Sequence, residues 1–213
     1  TKRPIIFLEK LEKDHESLNA KKAAILGFSL IASKKYFPFN NKNVIDLNRI
    51  NDILNQHKNE EIIIFGFTHT VWQTFFNTNK IKKNLRNAVI IHGGGWKKME
   101  NKKISSELFK KNLLKKYNFK NIINYYGMIE QIGSIFFECG MGYFHTTSFS
   151  DILIRNDFFK QNPVKKIGMV QLLSILPTSY PGHSILTQDL GAVFGEDNCK
   201  CGLKGKYFVV HGR

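Results

Sequence analysis

No apolar stretch of the sequence approaches the roughly 20 residues that a bilayer span requires, and the amino-terminal segment has no apolar core of the secretory type. Cysteine is scarce: Cys139, Cys199 and Cys201 are the only three. An odd count with a Cys-x-Cys pair suits a metal site in a reducing compartment better than a disulfide framework. The expectation is a cytoplasmic protein without a membrane span. Arginine is scarce as well, with five residues (Arg3, Arg49, Arg86, Arg155 and Arg213) among 32 basic ones. Base-edge readout and bidentate phosphate recognition favour arginine, so this shortage argues against nucleic-acid binding despite a formal charge of +15.

The charge is unevenly spread. Residues 1–120 hold 24 Lys+Arg against 10 Asp+Glu, a net +14, whereas residues 121–213 hold 8 against 7, a net +1. Lysine pairs such as Lys82-Lys83, Lys97-Lys98, Lys102-Lys103 and Lys115-Lys116 read as solvated helix faces that attract anionic ligands at most weakly. With 42% hydrophobic and 13% aromatic residues the chain can bury a sizeable core. It begins at Thr1 and stops at Arg213 directly after a strand-like Tyr-Phe-Val-Val run, so the natural polypeptide is expected to be longer.

An apolar run from Ile5 to Leu8 precedes a nearly continuous apolar segment between His15 and Tyr36, read as a buried helix with Gly27 as its weak point. An amphipathic helix is expected over Asp46 to His57. A rhythm then begins: strand Ile62 to Phe65, helix Thr68 to Asn79, strand Ala88 to Ile91, helix Ser105 to Tyr117, and strand Ile122 to Tyr125 leading through Gly127 into another helical stretch. Short apolar strands alternating with helices imply an α/β fold, with a mostly parallel sheet flanked by helices. Beyond about residue 143 only strands are expected, at Asp151–Arg155, Gly168–Leu176, Ser184–Thr187, Ala192–Phe194 and Tyr207–Val210. The expected organisation is an α/β part over 1–142 and a β-rich part over 143–213.

In open parallel sheets ligands gather beyond the carboxyl ends of the strands. Two segments lie there. His92-Gly93-Gly94-Gly95-Trp96 lets a backbone approach a flat or phosphorylated ligand closely, or is simply a structural turn. Tyr125-Tyr126-Gly127-Met128-Ile129-Glu130-Gln131 pairs an aromatic ring with a carboxylate able to hold Mg2+, or is a strand-to-helix turn with Glu130 in the first helical turn. Phe67, His69 and Trp72 follow the first strand of the rhythm and are candidates for an acyl pocket or for core. Cys139, His145, Cys199 and Cys201 supply three thiolates and one imidazole, the complement of a closed, structural zinc site; the alternative is buried thiols beside a satisfied histidine.

These segments, with Ser184-Ile185-Leu186-Thr187-Gln188-Asp189-Leu190-Gly191 and the terminal His211-Gly212-Arg213, resemble the adenylate-forming superfamily in order and approximate spacing. Within it, Phe65-Gly66-Phe67-Thr68, His92 to Lys98, Tyr126 to Gly133 and Leu176-Pro177-Thr178-Ser179-Tyr180-Pro181-Gly182-His183 are similar to the acyl-protein synthetase of the luminescence fatty acid reductase complex. The resemblance covers residues 20–213 and implies a partial N-terminal domain of an adenylate-forming enzyme. It implies that Gly93, Gly94 and Gly95 shape an adenine pocket, that Tyr126, next to Gly127, stacks on the base, that Glu130 binds Mg2+, and that Asp189 and Arg213 bind ribose. Phenylacetate-CoA ligase relatives are similar in the zinc ligand set.

The reaction so implied is ATP-dependent activation of a fatty or other carboxylic acid to acyl-AMP, followed by transfer to a thiol, either a protein cysteine or coenzyme A. The cofactors implied are ATP/AMP, Mg2+ and structural Zn2+. Two departures stand out: Ile129 occupies the place of a phosphate-touching Thr, and the phosphate loop and carboxy-terminal lysine of the superfamily have no counterpart in these 213 residues. The stretch alone is therefore expected to hold nucleotide weakly and not to activate an acid efficiently. The competing readings are a non-catalytic nucleotide-binding module and a zinc-stapled interaction module.

Overall fold

The computed structural model describes residues 2–10, 19–76, 80–82, 84–95 and 104–212. By contacts the chain divides into two units, residues 1–124 and 125–213. Strands β1 (Arg3–Phe7), β2 (Ala32–Tyr36), β3 (Ile62–Phe67) and β4 (Ala88–Gly93) of the first unit, with β5 (Asn121–Gly127), which runs past residue 124, lie in the order β2-β1-β3-β4-β5. β1 pairs in parallel with both β2 and β3, and β3 with β4 through an unbroken register from Ile62↔Ala88 to Phe67↔Gly93. β3 is buried at every position, as expected of a central parallel strand.

The helices follow from local chemistry. In α2 (Leu47–Gln56) Ile50, Ile53 and Leu54 fall on one face, and the Asp46 carboxylate accepts the amides of Asn48 and Arg49 at 3.0 and 3.2 Å. In α4 (Ser106–Tyr117) Ser105 caps the start, Lys115 and Lys116 lie in the last turn, and Asn118 closes the helix with φ 55°. With α3 (Thr68–Phe76) they supply Ile53, Phe75, Phe109 and Tyr117 to the core on the sheet. Each such side chain contributes about 1.5–3 kcal/mol relative to exposure.

The segment expected as one buried helix is helix α1 (Ala20–Ser29) followed by strand β2; residues 11–18, including His15, lie outside the described residues. Only Ile25 and Phe28 of α1 are buried, and Leu26 and Leu30 are exposed. The apolar run does not continue as helix because residues 32–36 pair with the edge of β1 and leave Lys34 and Lys35 in solvent.

The second unit is antiparallel. β7 (Phe144–His145), β8 (Ser150–Arg155), β9 (Gly168–Ser174), β10 (Ser184–Glu196) and β11 (Lys206–Gly212) lie in the order β7-β11-β10-β9-β8. The two short strands expected at 184–187 and 192–194 form one long strand, β10. The helix expected after Gly127 is absent among the described residues; a turn leads instead into β6 (Ile135–Phe137), which pairs antiparallel with the end of β5. Residues 125–142 accordingly belong with the second unit, and the division falls earlier than the 142/143 boundary expected from the loss of helices. Phe136, Phe144, Ile152, Leu172 and Phe208 form the second core, with Tyr126 packed against it.

The connection from β8 to β9 begins with a tight turn. The Asn156 side-chain oxygen accepts the amides of Phe158 and Lys160 at 3.0 and 2.9 Å, and Phe159 sits at φ 58°. That left-handed conformation costs a residue with a Cβ roughly 1–2 kcal/mol.

Candidate functional site

The glycine turn after β4 is held from the start of α3. Thr68 Oγ1 lies 3.1 Å from the carbonyl oxygen of Gly93, 2.9 Å from that of Gly94 and 3.0 Å from His92 Nδ1. With the hydroxyl donating to a carbonyl, the imidazole donates from Nδ1, leaving Nε2 as a buried lone pair without a hydrogen-bond partner among the described residues. Gly94 has φ +72° and a Cβ there would stand 3.3 Å from the Phe67 ring, whereas a Cβ on Gly95 would meet open space. The turn thus presents bare backbone, as a flat ligand needs. Trp96 lies outside the described residues, as does Arg213. Trp72 stacks on Phe76 with centroids 3.5 Å apart and packs on the first core, and Phe67 is buried, so both serve as core.

Burial, aided by the Lys110 charge, pushes the His92 imidazole down to about 3. An unfolded histidine titrates near 6.5, so below that pH the unfolded chain takes up a proton that the folded one refuses. Stability should therefore fall by up to about 1.4 kcal/mol per pH unit between roughly 6.5 and 3. Denaturant titrations of the parent and of His92→Gln across this window should show a shallower pH slope in the variant. Identical slopes would mean that the ring is not held neutral.

In the second unit, Tyr126 Oη donates to Asp189 Oδ2 at 2.8 Å. The Tyr126 ring rests against Phe136, Phe144 and Phe208, with centroids 6.1–6.5 Å away. Asp189 is aimed by an irregularity in β10: Leu186 pairs with Gln171 but Leu190 with Met169, so the strand accommodates two extra residues. The slack is secured by Thr187, whose hydroxyl donates to the Val170 carbonyl at 2.9 Å and accepts the Asp189 amide at 3.0 Å.

Glu130 is exposed on the turn between β5 and β6, not in a first helical turn. Its neighbour Gln131 is 1% exposed and donates to the carbonyls of Gly182, at 2.7 Å, and Leu172, at 3.2 Å, while Ser134 donates to its Oε1. The Ile132 amide donates to Tyr180 Oη at 3.1 Å and its carbonyl accepts from Ser174 Oγ at 2.6 Å. Gly127 tolerates no side chain, since a Cβ would lie 2.8 Å from the Ser134 carbonyl oxygen.

The ligand atoms of Cys139, His145, Cys199 and Cys201 all lie within 4.8 Å of one another. A tetrahedral zinc with bonds of about 2.3 Å separates its sulfur ligands by about 3.8 Å, so the cluster fits the ion with small closure. Cys201 Sγ is 3.3 Å from His145 Nε2, and the amides of Met141 and Leu203 donate to the sulfurs of Cys139 and Cys201 at 3.4 Å. His145 Nδ1 faces the Lys204 carbonyl at 3.4 Å, which leaves Nε2 as the metal-facing atom.

A family model described as acyl-protein synthetase, LuxE, matches residues 3–213. The chain belongs to the LuxE acyl-protein synthetase family. No curated protein matches the sequence. Among solved structures, 2-hydroxyisobutyryl-CoA ligase in complex with 2-HIB-AMP and CoA matches 99% of this chain and 49% of its own, with TM-score 0.71 and 14% identity. The luciferase-like enzyme of the nonluminescent mealworm Zophobas morio matches 99% and 50%, with TM-score 0.65 and 14% identity. ATP-bound MatB from Rhodopseudomonas palustris matches 99% and 40%, with TM-score 0.60 and 13% identity. This LuxE-family chain thus has the fold of adenylate-forming enzymes and spans about half the length of these structural relatives or less.

Several residues that shape these turns in this LuxE-family chain escaped the sequence reading. Gln131 and Tyr180 hold the turn that carries Glu130, and Thr68 with His92 holds the glycine turn. The nearest signal for the first pair was the Glu-Gln dipeptide and a Tyr-Pro-Gly turn within segments already marked by resemblance.

Proposed function

We propose that this chain is the nucleotide-holding portion of an enzyme that activates a fatty acid, or another carboxylic acid, as acyl-AMP and passes the acyl group to a thiol. Family membership supports the acyl-protein synthetase reading, and the Tyr126–Asp189 pair beside a rigid Glu130 turn is the observation that carries it. The adenylate and CoA bound to 2-hydroxyisobutyryl-CoA ligase, and the ATP bound to MatB, support the substrate classes. The acceptor is a protein cysteine or coenzyme A.

The chemistry follows from charge. A substrate carboxylate attacks the α-phosphorus of ATP and expels pyrophosphate, so no general base is required; the catalytic task is to align two anions and offset the charge between them. Mg2+, when bound, supplies that neutralisation. One carboxylate plus substrate phosphates is a customary Mg2+ ligand set, and we assign that carboxylate to Glu130, which is exposed on a turn fixed at both of its next residues. Gly93, Gly94 and Gly95 offer bare backbone to the purine, Tyr126 its ring, and Asp189 a carboxylate to the ribose hydroxyls. Arg213 is assigned to ribose by family resemblance. Zinc on Cys139, His145, Cys199 and Cys201 is structural, since all four coordination positions are filled by protein.

The full-length enzyme should catalyse fatty-acid-dependent exchange of labelled pyrophosphate into ATP, and these 213 residues alone should show little of it. Asp189→Ala should weaken nucleotide binding roughly 10- to 150-fold, the loss of one charge-assisted hydrogen bond. Calorimetric titration with ATP checks this, and an unchanged affinity would remove Asp189 from the site.

A further inference from the structure

We propose that the connection between β8 and β9 is a docking element for an anionic lipid bilayer surface. Phe158 is 82% exposed and Phe159 63%, and the same connection leaves Val164 at 56% and Ile167 at 55%. A single exposed apolar residue is ordinary, but an adjacent exposed aromatic pair on a tight turn, in a connection that also exposes two aliphatic side chains, is not.

Neither ring supports the fold. The turn is made by the Asn156 side chain and by backbone bonds, Asn156 amide to Lys160 carbonyl at 3.0 Å and Phe159 amide to Asn156 carbonyl at 2.9 Å. At φ 58° the position of Phe159 suits Gly or Asn, so Phe is the wrong residue for the turn and finds no core in return. A residue unfavourable both in conformation and in exposure, on a turn otherwise well bonded, is accounted for by something that covers it.

The surroundings identify that occupant. The connection also carries Lys160, Lys165 and Lys166, all exposed, against one acid, Asp157, so its own balance is three minus one, or +2. A two-ring tip cannot approach the roughly 800 Å² per partner of a stable protein interface. A bilayer demands no complementary pocket: the rings enter the boundary between headgroups and acyl chains while the ammonium groups meet lipid phosphates. The inference does not depend on the adenylation reading.

The test is co-sedimentation of the full-length protein with vesicles of phosphatidylcholine and phosphatidylglycerol in equal amounts, compared with pure phosphatidylcholine. The parent should bind the anionic vesicles roughly tenfold more tightly or better. Phe158→Ser combined with Phe159→Asn keeps every charge and places a residue suited to φ 58° in the turn, so its melting temperature should not fall while vesicle binding drops roughly tenfold. Lys160→Gln with Lys166→Gln should erode the preference for anionic lipid. A separate Phe158→Trp reporter should shift its fluorescence to the blue when anionic vesicles are added.

Because the first 120 residues carry a net +14 of their own, binding that survives the double Phe replacement undiminished would belong to general charge and overturn the proposal. So would absence of binding by the parent, or an unresponsive reporter. A parent that ignores vesicles but self-associates through the tip, becoming monomeric in the Phe variant, would assign the tip to a protein contact instead.

Discussion

Glu130→Gln in the full-length enzyme is expected to abolish fatty-acid-dependent pyrophosphate exchange, by roughly 100-fold or more, with an unchanged melting temperature. The two halves of this expectation rest on different observations. Among the described residues Glu130 is exposed and makes no hydrogen bond or ion pair, so an isosteric amide disturbs nothing in the turn. The backbone around it is fixed by Gln131 and Ile132, whose partners at Gly182, Leu172 and Tyr180 are untouched by the change. What is lost is the negative charge alone, and a neutral amide oxygen is a poor ligand for a hard cation between phosphates. Exchange at parental rate would remove Glu130 from the site, whereas loss of exchange with a fallen melting temperature would make its role structural.

The second large effect is expected at the cysteine cluster. Cys201→Ser should release stoichiometric zinc and leave the second unit unfolded or strongly destabilised, because in sites of this kind apparent binding free energies of about 10–16 kcal/mol are folding free energy. The ligands come from two places, Cys139 and His145 on either side of the β6–β7 connection and Cys199 and Cys201 on the β10–β11 turn. Without an ion, the contacts that remain among the described residues are long ones: Cys201 Sγ at 3.3 Å from His145 Nε2, and backbone amides at 3.4 Å from the sulfurs of Cys139 and Cys201. Phe144 and Phe208, next to His145 and opposite one another in the β7–β11 ladder, are the rings against which Tyr126 rests. Metal loss should therefore also weaken nucleotide binding. Elemental analysis with thermal scans before and after chelation decides the matter: protein that contains no zinc as isolated, or melts identically without it, excludes a structural ion.

Much of the first unit was legible because its signals are local. β3 and β4 are short apolar runs, and α2 and α4 carry their own caps in Asp46 and Ser105. The Cys/His cluster was legible for a different reason: so few residue types bind zinc that three cysteines and one histidine at such spacings single out Cys139, His145, Cys199 and Cys201 as a group even without coordinates. The turn after Gly127 was not. Met128 to Gly133 reads as helix by composition, yet Gln131 is tied to Leu172 and Gly182, 41 and 51 residues away, and a pattern in a short window carries no trace of such partners. The same limit hid Thr68 as the clamp of the glycine turn, since its acceptors lie on the following strand. For α1 and β2 the failure was one of periodicity: a continuous apolar run is compatible with either element, and only pairing with β1 decided for strand after Ile31.

The order β7-β11-β10-β9-β8 sets a schedule for the birth of the second unit. β7, the first of these strands to leave the ribosome, pairs within this sheet with β11, the last, so Phe144 and His145 must wait about 60 residues for their ladder partners Phe208 and Tyr207. During vectorial synthesis the hairpins β8–β9 and β9–β10 can assemble as they emerge, but the sheet closes only at the end. Such sequence-distant pairing slows folding, and until it is complete the aromatic side chains of β7 are open to mispairing in the nascent chain.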